Sequence, residues 1–114
     1  MKYTITTPLY YVNDKPHLGS SYTTIACDAL ARFQRLKGNS VLFLTGVDEH
    51  GQKIERTAER KNLQPQLHCD EITDQYKYLW DKLNISYDRF VRTTSKEHIS
   101  LVHQFYSKVV RSDD

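Results

Sequence analysis

Residues 40–46 read S-V-L-F-L-T-G, an unbroken apolar run set between Gly38-Asn39 and the polar D-E-H-G. A strand with one face in water alternates apolar and polar residues. A short continuous run instead describes a strand buried on both faces, as parallel sheets require. Parallel strands are joined by long, usually helical, crossovers, so the run demands helices around it. Upstream, Leu18, Tyr22, Ile25, Ala29, Phe33 and Leu36 recur at three- and four-residue spacing and line one face of a helix, with Asp28, Arg32 and Arg35 off that stripe. Gly38 accepts the left-handed turn on which a helix ends. Before it, residues 3–7 alternate β-branched and polar side chains, a strand that Pro8 should close because proline has no amide to donate.

Downstream, residues 52–61 form a polar helix anchored by Ile54 and Ala58. Pro65 suits the first turn of another helix, whose face carries Ile72, Tyr76, Leu79, Trp80 and Leu83. D-R-F-V-R-T-T offers a third strand around Phe90 and Val91. Thr94 and Glu97 then make a T-x-x-E capping box ahead of Ile99, Val102, Tyr106 and Val109. The resulting order predicts an α/β fold, a right-handed parallel βαβ series like the first half of a doubly wound, Rossmann-like nucleotide-binding fold. Three strands are few for a complete domain of this kind, and the polar R-S-D-D stands where a further strand is expected. Residues 1–114 are therefore read as the N-terminal half of a nucleotide-binding domain, a fragment of something longer.

Composition narrows the partners. Lys and Arg number 16 against 14 Asp and Glu, a net charge of +2 that is too balanced to predict nucleic-acid binding by field alone. Two distant cysteines, Cys27 and Cys69, encode neither a zinc site nor a disulfide framework and read as free thiols of a reducing compartment. No stretch approaches the roughly 20 apolar residues that span a bilayer, and the N-terminus lacks the pattern of a signal peptide. The cytoplasm is the default expectation.

The first βα turn carries K-P-H-L-G-S, residues 15–20. Ligands of open parallel sheets sit at the carboxyl ends of the strands, and a helix N-terminus offers unpaired amides and partial positive charge to phosphate. His17 can donate to a phosphate oxygen, Gly19 leaves room for close approach, and Ser20 offers a hydroxyl. On these residues alone a plain structural reading is favoured: His17 bonding a carbonyl, Gly19 easing packing, Ser20 capping the helix. Asp48-Glu49-His50 likewise reads as a solvated polar turn. Neither a Walker loop nor G-x-G-x-x-G is present. His68, His98 and His103 read as surface or half-buried helix residues, and Tyr76, Tyr78 and Trp80 as core plus surface.

Three blocks in order, T-T-P-L-Y-Y-V-N-D-K-P-H-L-G-S, T-G-V-D-E-H-G-Q-K-I and N-I-S-Y-D-R-F-V-R-T-T-S-K-E-H, resemble the N-terminal part of methionyl-tRNA synthetases, which are class I aminoacyl-tRNA synthetases. The resemblance covers essentially the whole chain. By position it implies that Pro8, Leu9 and Tyr11 line a methionine pocket, that Asp48 holds the substrate ammonium, and that His17, Gly19 and Ser20 contact ATP, with His17 and Ser20 catalytic. H-L-G-S stands where the class has H-I-G-H, so a hydroxyl replaces the second imidazole and cannot carry charge. The implied reaction joins L-methionine to ATP, with Mg2+ as its counter-ion, and passes the adenylate to tRNA(Met) in the full-length enzyme. Positioning and charge stabilisation carry such a reaction, without a side-chain nucleophile. The family's K-M-S-K-S loop, zinc-binding insertion and anticodon-binding domain have no counterpart here, and this chain holds no zinc ligands. The chain alone is thus expected to activate methionine negligibly. Two alternatives stay open: a non-catalytic methionine- or ATP-binding paralogue, and a small nucleotidylyltransferase with an H-x-G-H-type tetrad.

Overall fold

The computed structural model describes residues 1–112, so Asp113 and Asp114, the end of R-S-D-D, lie outside the described residues. Three strands, β1 (Lys2–Tyr11), β2 (Ser40–Asp48) and β3 (Arg89–Arg92), alternate with helices α1 (Leu18–Leu36), α2 (Gln52–Arg60), α3 (Pro65–Lys82) and α4 (Lys96–Ser112). The sheet is parallel throughout in the order β1-β2-β3. Both crossovers therefore advance in one direction, and right-handed connections then lay their helices on one face. The packing agrees with this. Phe43 packs with Ala31 of α1, while Val47, four residues on and on the same face, packs with Cys69, Ile72, Tyr76 and Trp80 of α3.

Several sequence expectations are corrected here. The S-V-L-F-L-T-G strand is not buried on both faces: Phe43 and Val47 are fully buried, but Leu42 on the opposite face is 44% exposed. Among the described residues that second face adjoins the start of α4, where Leu42, Leu44, Val91, His98 and Leu101 line a groove. The apolar stripe of α1 is real in period but points outward, with Leu18 85%, Tyr22 77% and Leu36 87% exposed. The buried side of α1 is instead Ser20, Thr24, Asp28 and Ala31. Hydrogen bonds explain this inversion. Asp28 accepts from the Ser86 amide at 2.7 Å and from Arg32 Nε at 2.7 Å, and the Ser86 hydroxyl also donates to it. Arg35 donates to Ser86 and, at 2.9 Å, to Asp88, whose carboxylate takes the Phe43 amide at 2.7 Å. Burial acting alone would raise the Asp28 pKa, yet the bonds from Ser86 and Arg32 hold it below the usual carboxylate range.

Pro8 does not close β1. The strand continues to Tyr11 through a register shift between Thr6 and Leu9, and a bulge tolerates the missing amide. The last helix is capped one residue later than the T-x-x-E pattern suggests: Ser95 Oγ accepts from the His98 amide at 3.2 Å, and Thr94 is engaged elsewhere. The first three helices end on left-handed residues, Gly38, Asn62 and Asn84, as the sequence showed for the first.

Candidate functional site

The carboxyl ends of β1 and β2 and the start of α1 form one edge of the molecule. His17 is the N-cap of α1, and its Nδ1 accepts from the Gly19 amide at 3.0 Å. A neutral imidazole that accepts at Nδ1 carries its proton on Nε2. The residue is exposed, so a donor is presented at the mouth of a 19-residue helix. A Cβ at Gly19 would lie 2.9 Å from His17 Cε1, so the glycine makes room for the imidazole that caps it. Ser20, one residue on, is 2% exposed and lies beside the Tyr76 phenol, whose pKa burial pushes up. Below it Tyr76 stacks on Tyr10 with ring centroids 5.6 Å apart, and the Tyr10 hydroxyl bonds Thr24 at 2.8 Å.

At the strand ends, Tyr11 and Asp48 are direct register partners, and Leu9 pairs with Gly46. The Val12 amide donates to the Asp48 carbonyl at 3.2 Å and continues the ladder beyond β1. Asp48 is half-buried, and its carboxylate accepts one hydrogen bond, from the His50 amide at 3.3 Å. Pro8, Leu9 and Tyr11 are all exposed on the same edge, Leu9 at 40%. Tyr11 leans over Gly51, where a Cβ would come within 2.4 Å of its hydroxyl oxygen; Gly51 also has φ +133°. The structure thus joins Tyr11 and Asp48 as neighbours and sets His17, Gly19 and Ser20 at the adjoining helix start. Asp48 lines a groove with His50, Thr93 and His98, whereas Lys15 and Pro16 line a second one with Tyr78 and Leu79.

Sequence reasoning missed the most heavily bonded group of this edge. Glu49, treated only as part of a polar turn, has a wholly buried side chain paired with Arg92. Arg92 Nε lies 3.1 Å from both carboxylate oxygens, and Thr94 Oγ1 donates at 2.7 Å. Burial would raise the Glu49 pKa, but Arg92 and Thr94 reverse that and hold it low, while Arg92 is itself shifted upward. The available signal was arginine at the end of R-F-V-R, an unusual last residue for a strand leaving an apolar core. His68 also departs from expectation: it is fully buried, with Nε2 3.0 Å from the Val12 carbonyl, so it ties α3 to the end of β1. His98 is half-buried and His103 exposed, as read. Tyr76 and Trp80 are core while Tyr78 is 65% exposed. Cys27 and Cys69 are both free, and burial pushes the Cys69 thiol up to about 11, which keeps it inert. Among the described residues, no group of three or more His, Cys, Asp or Glu is arranged to hold a metal ion, and no helix is long and apolar enough to cross a membrane.

A parallel sheet whose first two strands end beside a histidine-capped helix N-terminus is the strand-end arrangement of a Rossmann-like α/β domain. Comparison with known proteins makes this specific. The model of the family "tRNA synthetases class I (M)" matches residues 3–114, and the chain belongs to that family. It is 59% identical over 112 residues to a methionine–tRNA ligase of Thermosynechococcus vestitus, covering 98% of this chain and 21% of that protein. It is 52% identical over 112 residues to a chloroplastic/mitochondrial methionine–tRNA ligase of Arabidopsis thaliana, covering 98% and 18%. The crystal structure of Mycobacterium tuberculosis methionyl-tRNA synthetase bound by methionyl-adenylate superimposes with a TM-score of 0.84 at 42% identity, over 86% of this chain and 19% of that one. The chain spans about a fifth of the length of such relatives.

Proposed function

We propose that this chain forms the amino-acid- and ATP-facing edge of a methionine–tRNA ligase. That enzyme activates L-methionine with ATP to methionyl-adenylate and transfers it to tRNA(Met). Residues 1–114 would be the first half of its catalytic nucleotide-binding domain. The observation that carries the reading is the pairing of Tyr11 with Asp48 at parallel strand ends next to the His17-capped start of α1. In this reading Asp48 holds the α-ammonium, and a half-buried carboxylate does so more strongly than a solvated one. Pro8, Leu9 and Tyr11 supply apolar surface for the thioether chain, with a sulfur–aromatic contact at Tyr11. His17 Nε2 and the first-turn amides meet the triphosphate, and Gly19 keeps that corner open. Ser20, buried at the helix start beside Tyr76, offers its hydroxyl to the same region. Mg2+ enters with ATP, as the counter-ion of the substrate. The methionine carboxylate is already charged, so the chain's part in activation is to align it with the α-phosphorus and to steady the charge that develops. The cytoplasm is the proposed compartment, which suits two free thiols.

The test is methionine-dependent exchange of labelled pyrophosphate into ATP, with the chain expressed in its full reading frame. The expected result is exchange that requires methionine. Asp48→Asn should then raise KM for methionine about a hundredfold, the value of a charge-assisted bond of roughly 3 kcal/mol. Exchange indifferent to methionine, or an unchanged KM in D48N, overturns the reading. The nucleotidylyltransferase and the non-catalytic paralogue have no comparable observation in their favour.

A further inference from the structure

Asp48 has one hydrogen bond of its own to its carboxylate, whereas its neighbour Glu49 is tied at every polar group. The Glu49 amide donates to Thr93 Oγ1 at 2.9 Å, and its carbonyl accepts from Cys69 Sγ at 3.8 Å. Its carboxylate takes both Arg92 Nε contacts at 3.1 Å, Thr94 Oγ1 at 2.7 Å and Thr73 Oγ1 at 3.4 Å. Arg92 in turn reaches Asp70 of α3, which it holds below the ordinary carboxylate range. One buried side chain therefore binds the end of β2 to the end of β3 and to α3. A buried ion pair is weak evidence of a stabilising device, because an apolar pair of similar size often serves stability as well. What such a pair provides is geometry, since a bidentate fork admits one orientation. The geometry fixed here belongs to the residue immediately before Glu49.

Resting on the proposed function above, we infer that Glu49 is the positioning residue for Asp48, locking the end of β2 so that the Asp48 carboxylate meets the substrate ammonium. Glu49 does not touch substrate and acts only through its neighbour. Glu49→Gln keeps the shape but removes the charge and one of the two oxygens that Arg92 Nε contacts, so the two-point hold on the end of β2 is lost and the turn shifts. A misplacement of about 1 Å at a binding group lowers its contribution by up to about a hundredfold. The ammonium contact is present in both ground and transition states, so the loss falls on KM for methionine and leaves kcat largely alone.

Pyrophosphate exchange with the chain in its full reading frame tests this, with KM for methionine and for ATP measured separately. For E49Q the expected result is a 10- to 100-fold rise in KM for methionine, with kcat and KM for ATP within about twofold of wild type. Should E49Q not fold, Thr94→Val removes one donor from the same carboxylate and should raise KM for methionine several-fold in a protein that melts normally. An unchanged KM for methionine in a folded variant overturns the inference. So does a parallel loss in all three parameters that follows a fall in melting temperature, which marks a merely structural role. If wild type shows no methionine dependence, the proposed function fails and this inference falls with it; a methionine-dependent wild type with an indifferent E49Q fails the inference alone.

Discussion

Gly46 has no room for even a methyl group. A Cβ there would stand 2.1 Å from the Val91 carbonyl oxygen and 2.8 Å from the Val91 carbonyl carbon and amide nitrogen. All three are backbone atoms, so no side-chain rotation relieves the contact. An ordinary carbon-to-oxygen approach is about 3.3 Å, so in Gly46→Ala the two strands must part by about 1 Å. Hydrogen bonds of about 2.9 Å do not survive that displacement. The β2–β3 pairing runs only from Leu44↔Arg89 to Val47↔Arg92, so a break at Gly46 removes its middle. Losing about two ladder bonds at about 1 kcal/mol each, with overpacking of about 2 kcal/mol, outweighs the entropy benefit of about 1 kcal/mol from replacing glycine. We expect G46A to be destabilised by about 3 kcal/mol, a large share of a small domain's stability. With a urea m-value of about 2 kcal/mol/M the midpoint should fall by about 1.5 M. Trp80 is the single tryptophan and is fully buried in the α3 core, so its fluorescence reports the transition. A midpoint within about 0.3 M of wild type, on the resolution of such titrations, would refute the close approach of β2 and β3.

Two more expectations can be checked by the same titration. Asp28→Ala leaves the Ser86 amide without its acceptor and cuts the tie between α1 and the α3–β3 loop, so a loss of about 3 kcal/mol is expected; a loss under about 1 kcal/mol would mean that the inward face of α1 is not held by polar contacts. The pH dependence has a definite sign. Asp28, Glu49 and Asp70 all titrate below their unfolded values, so the stability they contribute is present above the unfolded carboxylate pKa and is lost as pH falls through the folded ones. The urea midpoint should therefore be steady near neutrality and decline below about pH 4, and E49Q should show a shallower decline than wild type.

The sequence was most legible where period and punctuation agreed. The helices, β3 and the parallel order followed from apolar spacing, from Pro65 and from Gly38. Periodicity reports that a face exists and not which way it points, and α1 shows the difference. Its apolar residues form the better stripe, yet Asp28 and Arg35 find partners on Ser86 and Asp88, more than fifty residues away, and those partners decide the orientation. No local rule could see them. The same limit applies to S-V-L-F-L-T-G, whose unbroken apolar run did not reveal how little of its second face is covered among the described residues. At the candidate site, chemistry and motif pointed to residues of the first βα turn and of β2. Glu49 was not among them, because a carboxylate in D-E-H-G carries no mark of burial until Arg92 and Thr94 arrive from β3.

The polar anchoring of α1 makes the helix a lever. Asp28 sits nine residues along from Gly19, about 14 Å at the usual helical rise. A tilt of about 4° at that fulcrum swings the capped end by about 1 Å, a distance that matters to anything held there. Aim at one tip of the rod is thus set from its far half, by a serine and an aspartate in a loop remote from the corner that the imidazole caps.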